Sequence, residues 1–521
     1  MIEPKEAEAP RPERGDVFYR ARDSRFQRIE TPADAARRKP EPTRVAVMIV
    51  HGMGQQVPFE TLESLTERLT RMNTGAPAVE PPKLTNATFG DLRLQRAEVD
   101  LRSGERQLDA HLYEAYWAPT TEGEVFFSDA LRFCARGTWN ALWHLPDPFY
   151  RWMFGRAVGF HPRGGPFLIL AGVTVAILEI ALISLLVLAL ALARVLKVSW
   201  PATDTLQSMN VEIAIHVSLL AAGFAAIWVA LRTARRRESG FLRSATSLLA
   251  LILSAAAVLA SVAILPALAL AHWKSFQPDG LVHLLSWLAN GWPAVGVWSA
   301  VVVCSLVARY FVVQYVGDVV AYVSPQSLDR FSDLRTEIKT SVGKVASAIL
   351  GAETPAGEFE YERVAFVGHS LGSLIAYDAL NKLILDEEAG VTSVRSDERV
   401  RLLLTFGSPM DKTAVLFGLN GKDTGVLREQ LAARVQPLID DYRHRQLSWV
   451  NVFANLDLFS GALDFYDDPG NAAYAHHRVI NVRDEQATVP IAAHEQYWDT
   501  AKVWRILHRE LFDPGTTSAG P

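Results

Sequence analysis

Residues 364–372 decide the fold of this 521-residue chain, and they read Val364-Ala365-Phe366-Val367-Gly368-His369-Ser370-Leu371-Gly372. The first four side chains are apolar, and the two valines are β-branched, which favours a buried strand. An amphipathic stretch that predicts a helix begins at Leu371. Since the two elements meet with almost no residues between them, the sequence predicts a sharp strand-to-helix turn with Ser370 at its tip.

This turn has the spacing G-x-S-x-G, which is the pattern of a nucleophile elbow. Such a turn forces its serine into a strained backbone conformation, and the glycines at 368 and 372 leave room for the neighbouring backbone. The start of the helix also brings amide groups and a positive dipole end beside the serine oxygen. The motif, with His369 inside it, therefore predicts that Ser370 is a nucleophile.

Apolar runs like the one before Ser370 recur along the chain, with predicted helices between several of them, such as 327–350 and 371–386. Continuous apolar runs are expected of strands covered on both faces. They lie at residues 45–50, 364–367, 402–406, 449–453 and 479–482. This alternation predicts an α/β fold of the α/β-hydrolase type, a mostly parallel sheet with helices on both faces and the site beyond the carboxyl ends of the strands. Residues 93–101 and 108–117 alternate instead, which predicts an antiparallel pair near the sheet edge.

A second motif, His51-Gly52-Met53-Gly54, directly follows the predicted strand 45–50. Stabilising a developing oxyanion requires two convergent amides, one of which usually comes from a loop after an early strand. We predict that these donors are the backbone amides of Met53 and Leu371. A plain tight turn at His51-Gly52 is the alternative.

The general base is sought after Ser370, because the order on this fold is serine, acid, histidine. His494 lies in the loop after the last predicted strand, where the fold delivers its base. His476 and His477 precede that strand and would emerge at the wrong end of the sheet. The sequence therefore predicts His494 as the base.

The acid is predicted to be Asp457, which follows the strand 449–453 at its carboxyl end. Its role would be to hold the tautomer of the histidine and to stabilise the imidazolium. Asp464 and Asp411 are rival candidates, and an ordinary solvated loop aspartate is the remaining alternative.

Composition excludes other classes of site. The formal net charge is −5 and the pI is near 6.3, so the basic excess of a nucleic-acid-binding protein is missing. Only two cysteines occur, Cys134 and Cys304, and their separation supports neither a disulfide framework nor a zinc site. The predicted chemistry requires no metal and no cofactor.

The hydrophobic content of 49% predicts something besides a water-soluble domain. Four stretches, 166–193, 211–231, 245–271 and 290–314, have the roughly 20 apolar residues that a membrane-spanning helix needs. The arginines between the second and third stretch predict that this end faces the cytoplasm. We therefore expect an integral, multi-pass membrane protein with a cytoplasmic catalytic domain, although some of these stretches would suit buried helices of a soluble domain.

These features predict five segments. A disordered tail at 1–43 precedes the first part of the hydrolase domain at 44–150, whose aromatic-rich residues 125–154 we interpret as an interfacial segment. A transmembrane insertion of about four helices follows at 151–316. The second part of the hydrolase domain covers 317–512, and a tail covers 513–521.

Taken together, the motifs resemble the lipase-like branch of the α/β-hydrolase superfamily. Besides the two motifs above, the likeness includes Tyr116-Trp117-Ala118-Pro119, Gly407-Ser408-Pro409 and Tyr497-Trp498 near the late His494. The chain looks similar to bacterial proteins related loosely to lipases and to the inositol deacylases of glycolipid anchors. The likeness covers the two flanking regions and departs from the usual pattern in one respect, because the insertion falls before the elbow whereas the usual cap enters after a later strand.

The resemblance implies a membrane-anchored serine ester hydrolase that acts on a lipid, a lysolipid or another acyl ester. Ser370 would be its nucleophile, Asp457 its acid and His494 its base, with Met53 and Leu371 as oxyanion donors. An acyltransferase differs only in the acceptor of the acyl group and stays open. A non-catalytic membrane protein that uses a hydrolase-like domain to bind a lipid or a partner is the other alternative, but it has no need of all three triad residues.

Overall fold

The computed structural model describes mainly the two regions on either side of the predicted insertion. These residues are 17–22, 24–29, 43–53, 57–74, 81–121, 129, 133, 149–153, 156–160, 318–319, 322, 329–413, 435–440, 447–457, 459–463, 466, 479–489 and 492–515. The strands are β1 (Val17–Arg22), β2 (Arg25–Arg28), β3 (Arg44–Val50), β4 (Lys83–Phe89), β5 (Leu92–Ser103), β6 (Arg106–Ala115), β7 (Phe149–Met153), β8 (Arg156–Phe160), β9 (Ala352–Glu353), β10 (Arg363–His369), β11 (Val400–Phe406), β12 (Ser448–Phe453) and β13 (Ile480–Arg483). The helices are α1 (Glu60–Thr70), α2 (Asp329–Leu350), α3 (Leu371–Glu388), α4 (Ser396–Arg399), α5 (Pro437–Asp440), α6 (Ala493–Gln496) and α7 (Lys502–Phe512), and Ala118–Thr120 form a 3-10 turn.

Eleven of these strands form one mixed sheet in the order β13-β12-β11-β10-β3-β6-β5-β4-β1-β2-β9. The six strands from β13 to β6 pair parallel with one another. Strands from both flanking regions lie in this sheet, since β3 pairs with β10 on one side and with β6 on the other. The carboxyl ends of β3, β10, β11 and β12 therefore lie side by side at one edge of the molecule.

Strand β3 shows why the apolar runs are continuous. Residues 45–50 are all fully buried, with alternate side chains in two separate cores. Ala46, Met48 and Val50 contribute to the core that includes α2 and α3, while Val45, Val47 and Ile49 contribute to the core that includes α1 and α7. Burying each large side chain is worth about 1.5–3 kcal/mol. Side chains from helices thus cover both faces of β3.

The antiparallel pairing predicted for residues 93–101 and 108–117 is confirmed, because β5 and β6 pair antiparallel along their length. Their predicted position near the sheet edge is wrong. Strand β6 also pairs with β3, and β5 also pairs with β4, because four further strands extend the sheet beyond them.

The segment predicted as a disordered tail, residues 1–43, needs correction. Residues 17–22 and 25–28 form β1 and β2, and β1 pairs parallel with β4. The Tyr19 hydroxyl donates a hydrogen bond of 2.5 Å to the Glu360 carboxylate, which is fully buried and has Arg28 and Arg44 within 3.6 Å. Glu360 and strand β9, which pairs with β2, lie more than 300 residues away in the sequence, so the local composition of this segment gave no sign of them.

The structure contradicts the predicted transmembrane bundle. Across the part of the chain that is described, no helix combines the length and the apolar character needed to cross a bilayer. Helix α2 has 22 residues, but Asp333, Arg335 and Glu337 place three charged side chains within little more than one of its turns. The prediction of an integral, multi-pass membrane protein is overturned with the bundle. It rested on the apolar composition of 166–193, 211–231, 245–271 and 290–314, which lie outside the described residues, and composition alone does not establish a helix or its surroundings.

Strands β7 and β8 pair antiparallel in a separate two-stranded sheet. The boundary predicted between residues 150 and 151 falls inside β7 and is therefore misplaced. Most of the predicted interfacial segment, including Trp143, lies outside the described residues.

Candidate active site

Ser370 stands at the junction of β10 and α3, as the motif predicts. Its backbone has φ 53° and ψ −127°, a conformation that side-chain-bearing residues rarely adopt and that costs about 1–3 kcal/mol. The Ser370 amide donates a 3.0 Å hydrogen bond to the Phe406 carbonyl at the end of β11, which holds the turn in place. Helix α3 begins at the next residue, Leu371, so its first turn lies beside the serine.

The two glycines of the motif are required by close backbone contacts. A Cβ added at Gly372 would lie closer than 3.0 Å to the carbonyl oxygens of Val50 and His51. One added at Gly368 would meet the backbone of Ser373 at a similarly short distance. Both positions leave no room for a side chain, so the first turn of α3 packs directly against the end of β3.

In the structure, His494 lies within hydrogen-bonding distance of both other predicted triad residues, Ser370 and Asp457. His494 Nε2 is 2.7 Å from Ser370 Oγ, and His494 Nδ1 is 3.0 Å from Asp457 Oδ2. The Phe459 amide donates to Asp457 Oδ1 at 2.8 Å and Tyr497 lies against Oδ2. Since an ionised carboxylate only accepts hydrogen bonds, Nδ1 carries the hydrogen and the lone pair of Nε2 faces the serine.

The pKa shifts of Asp457 and His494 suit an ionised carboxylate beside a basic imidazole. Burial alone would raise the pKa of Asp457, but His494 and the hydrogen bonds to the carboxylate outweigh it and lower the pKa to about 2. Burial alone would lower the pKa of His494, but the Asp457 carboxylate overcomes this effect and raises it above the usual value. Asp457 therefore stays ionised near neutral pH, and the imidazole is more basic than a free one.

The predicted oxyanion loop lies against the elbow. A Cβ added at Gly52 would be 2.9 Å from the Cβ of Ser370, which shows how closely the loop approaches the serine. His51 fixes the loop, because its Nδ1 donates to the Gly52 carbonyl at 2.9 Å and its Nε2 accepts the Trp117 amide at 3.1 Å. Trp117 in turn donates its indole hydrogen to the His51 carbonyl. Met53 packs partly buried on the core, whereas Gly54 lies outside the described residues.

His369 joins the elbow to the turn that carries the base. Its Nε2 donates to the His494 carbonyl at 3.1 Å, and its Nδ1 accepts the indole hydrogen of Trp498 at 3.4 Å. Burial lowers the pKa of His369 to about 4, as it does for His51, so both rings are neutral near neutral pH. They act as fixed hydrogen-bonding groups.

The rival candidates have different surroundings. Asp411 pairs with Lys412 at 3.0 Å and lies beside Gly461. His508, another histidine after Ser370 in the sequence, donates from Nε2 to the Arg102 carbonyl. Asp464, His444, His476 and His477 lie outside the described residues. Among the residues that the structure does describe, no group of three or more His, Cys, Asp or Glu side chains is placed to hold a metal ion.

Tyr497 is the site residue to which the sequence reasoning gave no role. Its hydroxyl is 3.0 Å from Asp457 Oδ2, and it lies three residues after His494. That spacing was a usable signal, because residues three apart on a helical turn share a face.

No model of a known protein family matches the sequence, and comparisons with curated proteins and with solved structures found no match either. The resemblance to the lipase-like branch of the α/β-hydrolases therefore stays a prediction from motifs, and function has to be argued from the site itself.

Proposed function

We propose that this chain is a serine ester hydrolase. The observation that carries the proposal is the continuous hydrogen-bonded chain from Ser370 Oγ through His494 to Asp457, with a serine–imidazole distance of 2.7 Å. A nucleophile, a base within reach and a third group that orients the base are the features expected of an activated serine. The strained turn at Ser370 adds support, because such strain concentrates at functional sites.

In the proposed reaction, His494 Nε2 takes the hydroxyl proton while Ser370 Oγ attacks the ester carbonyl carbon. The amides of Met53 and Leu371 hold the oxygen that becomes negative, aided by the start of α3. His494 then gives the proton to the departing alcohol, leaving an acyl-serine. Water, deprotonated by the same imidazole, attacks this acyl group, and the carboxylic acid leaves as Ser370 regains its proton.

Apolar side chains at the mouth of the site favour an ester with an apolar acyl group. Leu456 and Phe459, which flank Asp457 in the sequence, are 41% and 43% exposed, which is unusual for large hydrophobic side chains. The Phe459 ring centroid is 5.0 Å from that of His494. An acyl chain that covers these surfaces would gain about 25 cal/mol for each Å² removed from water.

Labelling by fluorophosphonates tests the proposal, because these probes react covalently with an activated serine. Wild-type protein should be labelled, faster by a probe with a long alkyl chain than by a short one, and Ser370→Ala should not react. Ser396→Ala is a matched control, since this serine is equally buried but precedes β11 at the other end of the sheet and should leave labelling intact. Wild-type protein that neither reacts nor hydrolyses para-nitrophenyl esters would contradict an enzymatic function and favour a binding module.

The dependence of kcat/KM on pH is a second prediction. His494 acts as a base only when neutral, and its pKa is raised by Asp457, so activity should fall as pH drops through a value above the usual 6.5 or so. The fall in activity should have the slope expected for one titrating proton. The other nearby groups titrate at lower pH, since the pKa is about 2 for Asp457 and about 4 for His51 and His369. A pH–rate profile of ester hydrolysis checks this, and an acid limb centred below pH 6 or one with a two-proton slope would be inconsistent with the assignment.

A further inference from the structure

Tyr497 connects the turn that carries the base to the loop that carries the acid. It is fully buried and follows α6, the turn that includes His494. Its hydroxyl accepts the amide hydrogen of Ala454 at the end of β12 at 2.8 Å, and it lies 2.9 Å from Ser460 Oγ. The same hydroxyl is 3.0 Å from Asp457 Oδ2. His494 and Tyr497 thus approach one carboxylate oxygen from a single helical turn.

The direction of these hydrogen bonds follows from the donors available. The Ala454 amide occupies one lone pair of the Tyr497 oxygen, which leaves the single phenolic hydrogen to be placed. Its two possible acceptors are the Ser460 hydroxyl and the Asp457 carboxylate, and an ionised acceptor forms the stronger bond. Tyr497 therefore donates to Asp457 Oδ2, the oxygen that is also nearest to His494 Nδ1.

We propose that Tyr497 is a positioning residue that fixes the Asp457 carboxylate and shares the charge of Oδ2 with His494, so that it sets both the aim and the basicity of the imidazole. The proposal rests on the proposed function for its effect on catalysis, but the hydrogen-bonded link itself does not depend on turnover. Tyr497 touches none of the reacting atoms and acts through Asp457.

Other charges around His494 do not replace this link. The charged groups that shift the pKa of the imidazole include Asp457, Glu495 on its own turn and Lys412 after β11. The ring of His369 lies 5.2 Å away and is neutral. Of these groups, only Asp457 forms a direct hydrogen bond with an imidazole nitrogen, so a change at Asp457 Oδ2 acts directly on His494.

Tyr497→Phe removes the hydroxyl and keeps the ring. We expect kcat for ester hydrolysis to fall roughly 10-fold to 100-fold, with KM changed less than about twofold, since hydrogen bonds to charged groups have effects of that size. With Oδ2 no longer shared, the carboxylate should stabilise the imidazolium more, so the acid limb of kcat/KM should move to higher pH. Tyr361→Phe is the matched control, because it removes another buried tyrosine hydroxyl, which is hydrogen-bonded to Tyr113. Tyr361 precedes β10, at the end of the strand opposite to Ser370, so this variant should change neither kcat nor the acid limb of kcat/KM.

The second readout is the titration of His494, followed by NMR in protein labelled with ¹⁵N at histidine and assigned with a His494→Gln variant. Tyr497→Phe should raise the pKa of His494 relative to wild type, and Tyr361→Phe should not. An unchanged titration, or losses of kcat equal in the two tyrosine variants, would overturn the positioning role. The titration requires no turnover, so it tests the positioning role of Tyr497 even in an inactive protein. A wild-type protein without esterase activity would count only against the proposed function.

Discussion

Replacing Asp457 by asparagine is expected to lower kcat for ester hydrolysis roughly 10⁴-fold, because the asparagine amide favours the wrong tautomer of His494. In the present structure the Asp457 carboxylate accepts from His494 Nδ1, which leaves Nε2 free to take the proton of Ser370. An amide nitrogen facing Nδ1 would instead drive the imidazole hydrogen to Nε2, where it would point at the serine. The shape of the side chain is retained, so the loss would arise from hydrogen bonding and not from packing.

Steady-state kinetics with a para-nitrophenyl ester measure this effect. The matched control is Asp411→Asn, which changes the same groups in the rival aspartate that pairs with Lys412, and it should lower kcat less than about tenfold. If the Asp411 variant were the more damaged of the two, the acid would be misassigned. The Asp457 variant should also show its acid limb at lower pH than wild type, because the imidazolium loses its partner.

Replacing Gly372 by alanine is expected to destabilise the protein by more than about 4 kcal/mol, among the largest losses for a single methyl group. The added Cβ would overlap the carbonyl oxygens of Val50 and His51, which are backbone atoms at the end of the central strand β3 and cannot rotate away. The strand and helix α3 would have to separate, and the loop that carries Met53 would be displaced with them.

The free energy of unfolding in urea, measured for Gly372→Ala and for a control variant, checks this expectation. Gly343→Ala is the control, because this glycine lies within α2 and an added Cβ would meet nothing within 4 Å. That variant should be more stable than wild type by about 0.4–1 kcal/mol, since alanine is the better helix former and restricts the unfolded chain. A Gly372 variant as stable as wild type would show that the elbow does not pack against β3 as described.

The elbow and the parallel part of the sheet could be predicted from sequence because each depends on local patterns. The apolar runs that become β3, β10, β11 and β12 are continuous since both faces of those strands are covered. The spacing of Gly368, Ser370 and Gly372 reflects contacts made within a few residues of the turn. Asp457 and His494 followed from a rule of order and from their positions at carboxyl ends, and they lie in contact in the structure.

Features that depend on residues distant in the sequence could not be predicted from it. Strands β1 and β2 are rich in arginine and short, and their place in the sheet depends on β4, β9 and the buried Glu360. The hydroxyl of Tyr497 could be assigned only when Asp457 and Ala454 were seen around it. The transmembrane prediction failed because it relied on local apolar composition alone, and composition does not establish a membrane-spanning helix.

The position of β3 in the sheet has a consequence for how the chain is made. During synthesis, β3 can find β6 soon after both leave the ribosome, but its other neighbour, β10, begins about 300 residues later. At roughly 5–20 residues per second, one apolar edge of the nascent sheet would stay uncovered for about 15–60 s. Such an edge invites pairing with other chains, so the yield of folded protein should respond to chaperones that shield emerging strands and to slower growth of the culture.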